Sequence, residues 1–164
     1  MYNIRPAGPG DIPLIRDLTF RTWPQTYSAL LPREQIDYML DMMYSESSLQ
    51  KQMDDGCRFL LIHDREVPVG FASYQEIKPA LFKLHKLYIL PGQQGKGTGR
   101  FLLDHITREL MAKKAAVLQL QVKRDNKARF FYEKLGFVVT EELDLDIGNG
   151  YYMNDYIMEK KLAD

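Results

Sequence analysis

From Leu84 to Arg100 the chain reads Leu-His-Lys-Leu-Tyr-Ile-Leu-Pro-Gly-Gln-Gln-Gly-Lys-Gly-Thr-Gly-Arg: an apolar run, a turn, and the alternate glycines Gly95, Gly97 and Gly99. Such a turn can hold an anion. Glycine has no Cβ, so successive amides can point inward together, and the unpaired N–H groups and positive end of a following helix add to the attraction. The cradle would comprise Gln94, Gly95, Lys96, Gly97, Thr98, Gly99 and Arg100, with Lys96 and Arg100 supplying local positive charge. Two nucleotide motifs do not fit. A Walker loop would need glycine at Leu90 and Ser or Thr at Gly97. A dinucleotide fingerprint begun at Gly95 or Gly97 would need glycine at Arg100 or Leu102.

The other reactive side chains are few. His85 lies on the strand that leads into the glycine turn, and histidine can accept a proton near neutral pH. His63 and His105 read as strand and surface-helix residues without the clustered ligands that a metal needs, so no metal site is expected. Cys57, just before Phe59-Leu60-Leu61-Ile62, reads as a small buried hydrophobe.

The elements that must position these residues follow from periodicity. Tyr2–Ala7 reads as a strand, and Gly10-Asp11 as the cap of a helix in which Ile12, Ile15 and Leu18 recur, with Pro24 ending it. Arg33–Met43 reads as a second helix that Ser45-Glu46-Ser47-Ser48 breaks, with a further helical piece over Leu49–Met53. Arg58–Asp64 and Val67–Glu76 form a hairpin, and Lys83–Leu90 the next strand. The helix Phe101–Met111 carries Leu102, Ile106 and Leu110 on one face, and the alternating Val117–Val122 makes a strand parallel to Lys83–Leu90, so the glycine turn sits inside a βαβ unit. A short helix Lys127–Leu135 ends at Gly136, and the strands Phe137–Thr140 and Tyr151–Lys160 close the chain, joined through the acidic connection Glu141–Asp146.

Bulk properties limit the rest. With 164 residues, 45% of them hydrophobic, a single domain over residues 1–164 is expected. Lys plus Arg (22) balance Asp plus Glu (22), so no overall field recruits nucleic acid or an anionic membrane. One cysteine permits no internal disulfide, and neither a signal peptide nor a membrane-length apolar run is apparent, so a cytoplasmic location is the default expectation.

A second motif gives the glycine turn a context. Ala128, Tyr132, Gly136 and Phe137 match Ala-x-x-x-Tyr-x-x-x-Gly-Phe, and Gln94, Gly97 and Gly99 match (Arg/Gln)-x-x-Gly-x-(Gly/Ala). In this order and spacing the chain resembles the GNAT superfamily of N-acetyltransferases, and the resemblance extends over nearly its whole length. Two positions depart from the pattern. The family's usual asparagine falls on Asp125, with Asn126 one place later, and the strand glutamate many relatives carry aligns with His85. The segment Tyr-Ser-Ala-Leu-Leu-Pro before the second helix and the ending from Gly150 more loosely resemble the bacterial polyamine acetyltransferase branch.

The resemblance implies an α/β (α+β) fold: a mixed, mostly antiparallel sheet of about seven strands with a parallel βαβ acyl-CoA unit and flanking helices. It implies acetyl-CoA or coenzyme A as co-substrate, with its pantetheine pairing to strand backbone where the two parallel strands splay after Leu87-Tyr88-Ile89, its pyrophosphate on Gln94–Gly99, and Asn126 on the pantetheine side. Acyl transfer to an amine needs a neutral amine, a stabilised oxyanion and a proton for the departing thiolate. Tyr132 is implied as the proton donor; His85 or a water chain is the candidate base.

The acceptor is expected on the face opposite the cofactor. Trp23, Tyr27 and Tyr151 are candidate walls, and Asp37, Asp41 and Glu76 candidate partners for an ammonium. The expected partner is a small-molecule primary amine, a polyamine among the options; a peptide N-terminus or lysine is the alternative, and an acyl-CoA sensor with little turnover is a reading of another class. A homodimer through the closing strands is allowed but not required by any sequence pattern.

Overall fold

The structure, a computed structural model, describes residues 1–163. Its strands are β1 (Tyr2–Ala7), β2 (Arg58–Asp64), β3 (Val67–Lys78), β4 (Leu81–Ile89), β5 (Val117–Lys123), β6 (Val138–Gly148) and β7 (Tyr151–Lys161). Its helices are α1 (Ile12–Tyr27), α2 (Arg33–Tyr44), α3 (Glu46–Asp54), α4 (Thr98–Ala112) and α5 (Ala128–Lys134). The strands form one sheet in the order β1-β2-β3-β4-β5-β7-β6, antiparallel except at β4/β5, which pair in parallel across the α4 crossover. This is the GNAT-like mixed fold expected from the sequence.

Each face of the sheet carries its own core. On one side Leu102, Leu103, Ile106 and Leu110 of α4 pack with Leu84, Leu118, Leu120 and Met158, and Tyr132 and Phe137 extend this layer. On the other, Ile15, Leu18, Trp23, Met39 and Leu49 from α1, α2 and α3 pack on Phe59, Leu61 and Phe71. Strand alternation sends successive residues of β2 to opposite layers: Leu60 and Ile62 face α4, Phe59 and Leu61 the first three helices.

Four boundaries differ from the sequence reading. Pro24 lies inside α1, which continues to Tyr27; Trp23 and Tyr27 are buried and hold the last turn in place, and Ser28 N–H donates to the Pro24 carbonyl at 3.0 Å. The break before α3 narrows to Ser45, whose hydroxyl accepts from Ser48 N–H at 3.2 Å and caps the new helix. α4 starts at Thr98, so Gly99 falls in its first turn.

The fourth difference is the largest. Glu141–Asp146 is not a connection but part of β6, paired to β7 from Val138↔Glu159 to Gly148↔Tyr151. As the edge strand, β6 is exposed along most of its length, so acids can stand in water while the backbone pairs on one side, and charge on an edge discourages pairing with another chain. Arg124 bridges Glu142 and Asp144, two residues apart on one face.

Candidate active site

β4 and β5 pair only from Leu81↔Val117 to Leu84↔Leu120. Beyond this, β4 stays bonded to β3, and β5 to β7, but not to each other. The opening therefore begins at His85, earlier than the point after Ile89 that the sequence comparison implied, and Leu87, Tyr88 and Ile89 lie within it. A bulge accompanies the divergence. Ser73 opposes Lys86 and Tyr74 opposes Leu84, leaving His85 as the extra residue. The bulge also swaps faces: Leu84 is in the α4 core, whereas Lys86, two residues on, lies against Tyr44 in the other layer.

The open strand leads into the glycine turn. Gly95 and Gly97 have φ of +83° and +81°, left-handed values that a side chain rarely tolerates, and Gly97 caps α4. Gly99 has no such φ, and a Cβ there would meet only ordinary contacts, the nearest Phe131 Cζ at 3.5 Å. This explains physically why the motif admits alanine at its last position. Among the described residues the amides of Gly95, Gly97, Thr98, Gly99 and Arg100 have no backbone acceptor, leaving a nest of donors at a helix N-terminus. These groups fit a pyrophosphate, and the open β4 edge fits an amide-bearing arm.

The predicted residues are distributed as follows. Gln94, Gly95, Gly97, Thr98, Gly99, Arg100, Asn126, Leu87, Tyr88, Ile89, His85 and Tyr132 all line one cleft of about 1090 Å³; Lys96 does not. Gln94 Nε2 donates to the Ile89 carbonyl at 3.4 Å, bracing the turn, and Thr98 Oγ1 lies 2.6 Å from the Tyr2 hydroxyl, which leaves its amide for a ligand. Asn126 Oδ1 accepts from Ala128 N–H at 2.9 Å, starting α5, while the residue lines the cleft.

Tyr132 is buried between Phe131 and Phe137, whose ring centroids lie 5.2 and 5.6 Å away. Among the described residues its hydroxyl has no hydrogen-bond partner. Burial, with a smaller effect from Tyr27, holds the phenol well above its ordinary pKa, so it keeps its proton. Tyr27 and Tyr88, with hydroxyls 3.2 Å apart, are held up by burial likewise.

His85 Nε2 lies 3.0 Å from Gln75 Oε1. Burial first, then the charges of Lys83 and Lys86, lower its pKa to about 4, so it is neutral at physiological pH. Of the expected acceptor walls, Trp23 and Tyr27 line the cleft, but Tyr151 packs on Tyr38 at 5.3 Å and its neighbour Tyr152 takes the lining position. Asp37, Asp41 and Glu76 are absent from the cleft wall.

Other polar groups on the cleft wall escaped the sequence reading. Lys83 Nζ donates to Gln121 Oε1 at 2.6 Å, and Gln121 Nε2 donates to Asp155 Oδ2 at 3.3 Å, a row across β4, β5 and β7. Asp155 is 2% exposed, and burial raises its pKa. Lys86 is 9% exposed; burial and, secondarily, Lys83 lower its pKa to about 8 against an opposing effect of Cys57. Asp155 left one trace in sequence: it is the lone acid in the alternating series Tyr151, Met153, Asp155, Ile157. Lys86 left none, since only the bulge turns it inward.

Two hydrogen bonds stand beside the cleft, whose wall includes Gln35 and Tyr152. Tyr38 Oη donates to the Ile147 carbonyl at 2.8 Å, and Gln35 Nε2 donates to the Tyr152 carbonyl at 2.8 Å, tying α2 to the β6–β7 hairpin. Among the described residues no group of His, Cys, Asp and Glu is gathered to hold a metal ion, and no helix is long and apolar enough to cross a membrane.

Comparison with known proteins bears on this geometry. The sequence model described as acetyltransferase (GNAT) domain matches residues 29–156. The ribosomal protein bS18-alanine N-acetyltransferase of Haemophilus influenzae is 36% identical over 102 residues, 60% of this chain; the match spans 65% of that relative's length, just under two thirds. The spermidine N(1)-acetyltransferase of Thermoplasma acidophilum is 29% identical over 97% of this chain and 96% of its own. Among solved structures, the PaiA N-acetyltransferase of Thermoplasma acidophilum in complex with coenzyme A superposes with a TM-score of 0.83 at 26% identity, covering 98% of this chain and 99% of that one. The glycine turn, the parted strands and the buried tyrosine thus stand where a matching family model runs through them, and the chain belongs to the GNAT family of N-acetyltransferases.

Proposed function

We propose that this chain transfers the acetyl group of acetyl-CoA directly to the primary amine of a small molecule. The observation that carries the reading is the parting of β4 from β5 at His85, with open backbone leading to the unpaired amides of Gly95–Arg100 and Tyr132 within the same cleft. The thioester supplies an activated acyl carbon. The open edge of β4 from His85 to Ile89 binds the pantetheine amides as an added strand would, and Gln94 through Arg100 hold the pyrophosphate. Asn126 orients the arm from the β5 side.

Tyr132, kept protonated by burial, gives its hydroxyl proton to the departing sulfur. The amine must lose a proton as the new bond forms. His85, neutral at physiological pH, accepts it directly or through water; its low pKa means that it takes a proton only from a nitrogen acidified by bond formation.

The bS18-alanine relative raises a protein N-terminus as a second acceptor class. The tie between α2 and the β6–β7 hairpin, which fixes Gln35 and Tyr152 on the cleft wall, favours a small molecule over a chain that must leave the site again. The test is a panel of small amines and peptides with acetyl-CoA, read as free thiol. Thiol release with small amines is expected; a peptide N-terminus turned over well above every small amine would overturn the small-molecule assignment.

A further inference from the structure

We propose that the acceptor bears a carboxylate on the same small molecule as its amine, and that Lys86 and Lys83 receive it. The inference rests on the acetyl-transfer reading above and names the substrate class of that site.

Lys86 is buried to 9% exposure, lines the cleft, and lies with Nζ 4.8 Å from the centre of the Tyr44 ring. Among the described residues it has neither an ion pair nor a hydrogen bond. Lys83, also on the cleft wall, has the neutral oxygen of Gln121 as its one hydrogen-bond acceptor among the described residues. Lys86, out of water and without a carboxylate against it, stands on the same side of β4 as the half-buried Lys83, which feels Asp155 only across Gln121, and the pair is unfavourable until a counter-charge arrives. His85 between them is neutral and bonded to Gln75, so it does not supply that charge.

The phosphates of the cofactor are provided for elsewhere. Arg100, Lys123 and Lys127 line the part of the cleft formed by the glycine turn and the β5–α5 connection, whereas Lys83 and Lys86 lie back along β4 on the α1–α2 side. The buried acid of the acceptor side is Asp155, held through Gln121. A cleft wall with an acid reached from Lys83 through Gln121, and with Lys86 left unpaired, suits a molecule that carries an amine and an anion. A polyamine would meet two like charges.

Matched acceptors separate the charge from the amine: β-alanine, β-alaninamide, propylamine, spermidine and an acidic peptide, each with saturating acetyl-CoA and thiol detection. β-Alanine is expected to exceed its amide by at least about tenfold in kcat/KM, the size of one desolvated charged contact. Lys86→Met should remove that preference through KM for the acid, and Lys86→Arg should keep part of it. A binding readout runs beside activity. With coenzyme A present, propionate should raise the Tm of the wild type and not of Lys86→Met, while calorimetric coenzyme A affinity stays the same in both. Equal turnover of the amide or spermidine, preference for the acidic peptide, or an equal fall in kcat for every acceptor in Lys86→Met would overturn the proposal. Coenzyme A binding without thiol release from any amine would instead overturn the acetyl-transfer reading, and the propionate shift would still decide whether the lysines bind a carboxylate.

Discussion

Replacing Lys86 with methionine keeps an unbranched apolar stem, one atom shorter, beside the Tyr44 ring while removing the buried charge. The fall in pKa from the ordinary lysine value of 10.5 to about 8 corresponds to about 3 kcal/mol of unfavourable burial of the charged form. Lys86→Met should therefore be more stable than the wild type by up to about 3 kcal/mol at pH 7, or roughly 6–12 °C in Tm for a domain of this size. The sign over pH is specific. Below pH 8 the lysine is protonated both folded and unfolded, and the whole advantage of methionine is present. Between pH 8 and 10.5 the folded lysine is neutral while the unfolded one still binds a proton, so wild-type stability rises and the gap closes. Denaturant unfolding of both proteins at steps from pH 7 to 11 measures this. A variant no more stable at pH 7, or an advantage undiminished at pH 11, would show that Lys86 is solvated and not held at a cost.

Tyr132→Phe keeps the ring between Phe131 and Phe137 and removes a hydroxyl that has no partner among the described residues; kcat should fall roughly 10²–10⁴-fold with little change in Tm, and a kcat equal to wild type at saturating substrate would remove the donor role. Gly97→Ala, at φ +81°, should cost about 1 kcal/mol and weaken coenzyme A binding, whereas Gly99→Ala, whose Cβ meets only ordinary contacts, should retain both stability and affinity in paired denaturation and titration experiments. If His85 accepts the proton, kcat at saturating amine should show an acidic limb near pH 4 that His85→Gln abolishes; an identical limb in the variant would assign the step to water.

The parts of the site built from backbone were legible in the sequence, because they depend on residue types with few uses. Gly95 and Gly97 are glycine for their left-handed φ, and Tyr132 falls in a motif whose spacing is that of one helix and its cap. The alternation in Val117–Val122 and the face of Leu102, Ile106 and Leu110 gave the βαβ unit for the same reason. What stayed hidden depends on registers that no local pattern records. Lys86 turns inward because His85 is bulged against β3, a pairing between residues distant in sequence. The acids of β6 read as a connection because a charged edge strand and a solvated loop share a composition. Asp37 and Asp41 lie on α2, so they were expected at the acceptor, but that helix turns other residues toward the cleft, Gln35 and Met39 among them.

The parting of β4 from β5 also makes the sheet a hinged object. Among the described residues four pairs are the only β-ladder pairing between β1–β4 and the trio β5, β7 and β6, so the sheet has a seam in an otherwise continuous set of hydrogen bonds. A ligand that fills the seam would work as a staple. Its binding energy would add to folding stability as RT ln(1 + [L]/Kd), about 2.7 kcal/mol at a hundredfold excess over Kd. Amide hydrogen exchange should register this locally: protection gained on β4 from His85 onward and on β5 from Gln121, with β2 and β3 little changed.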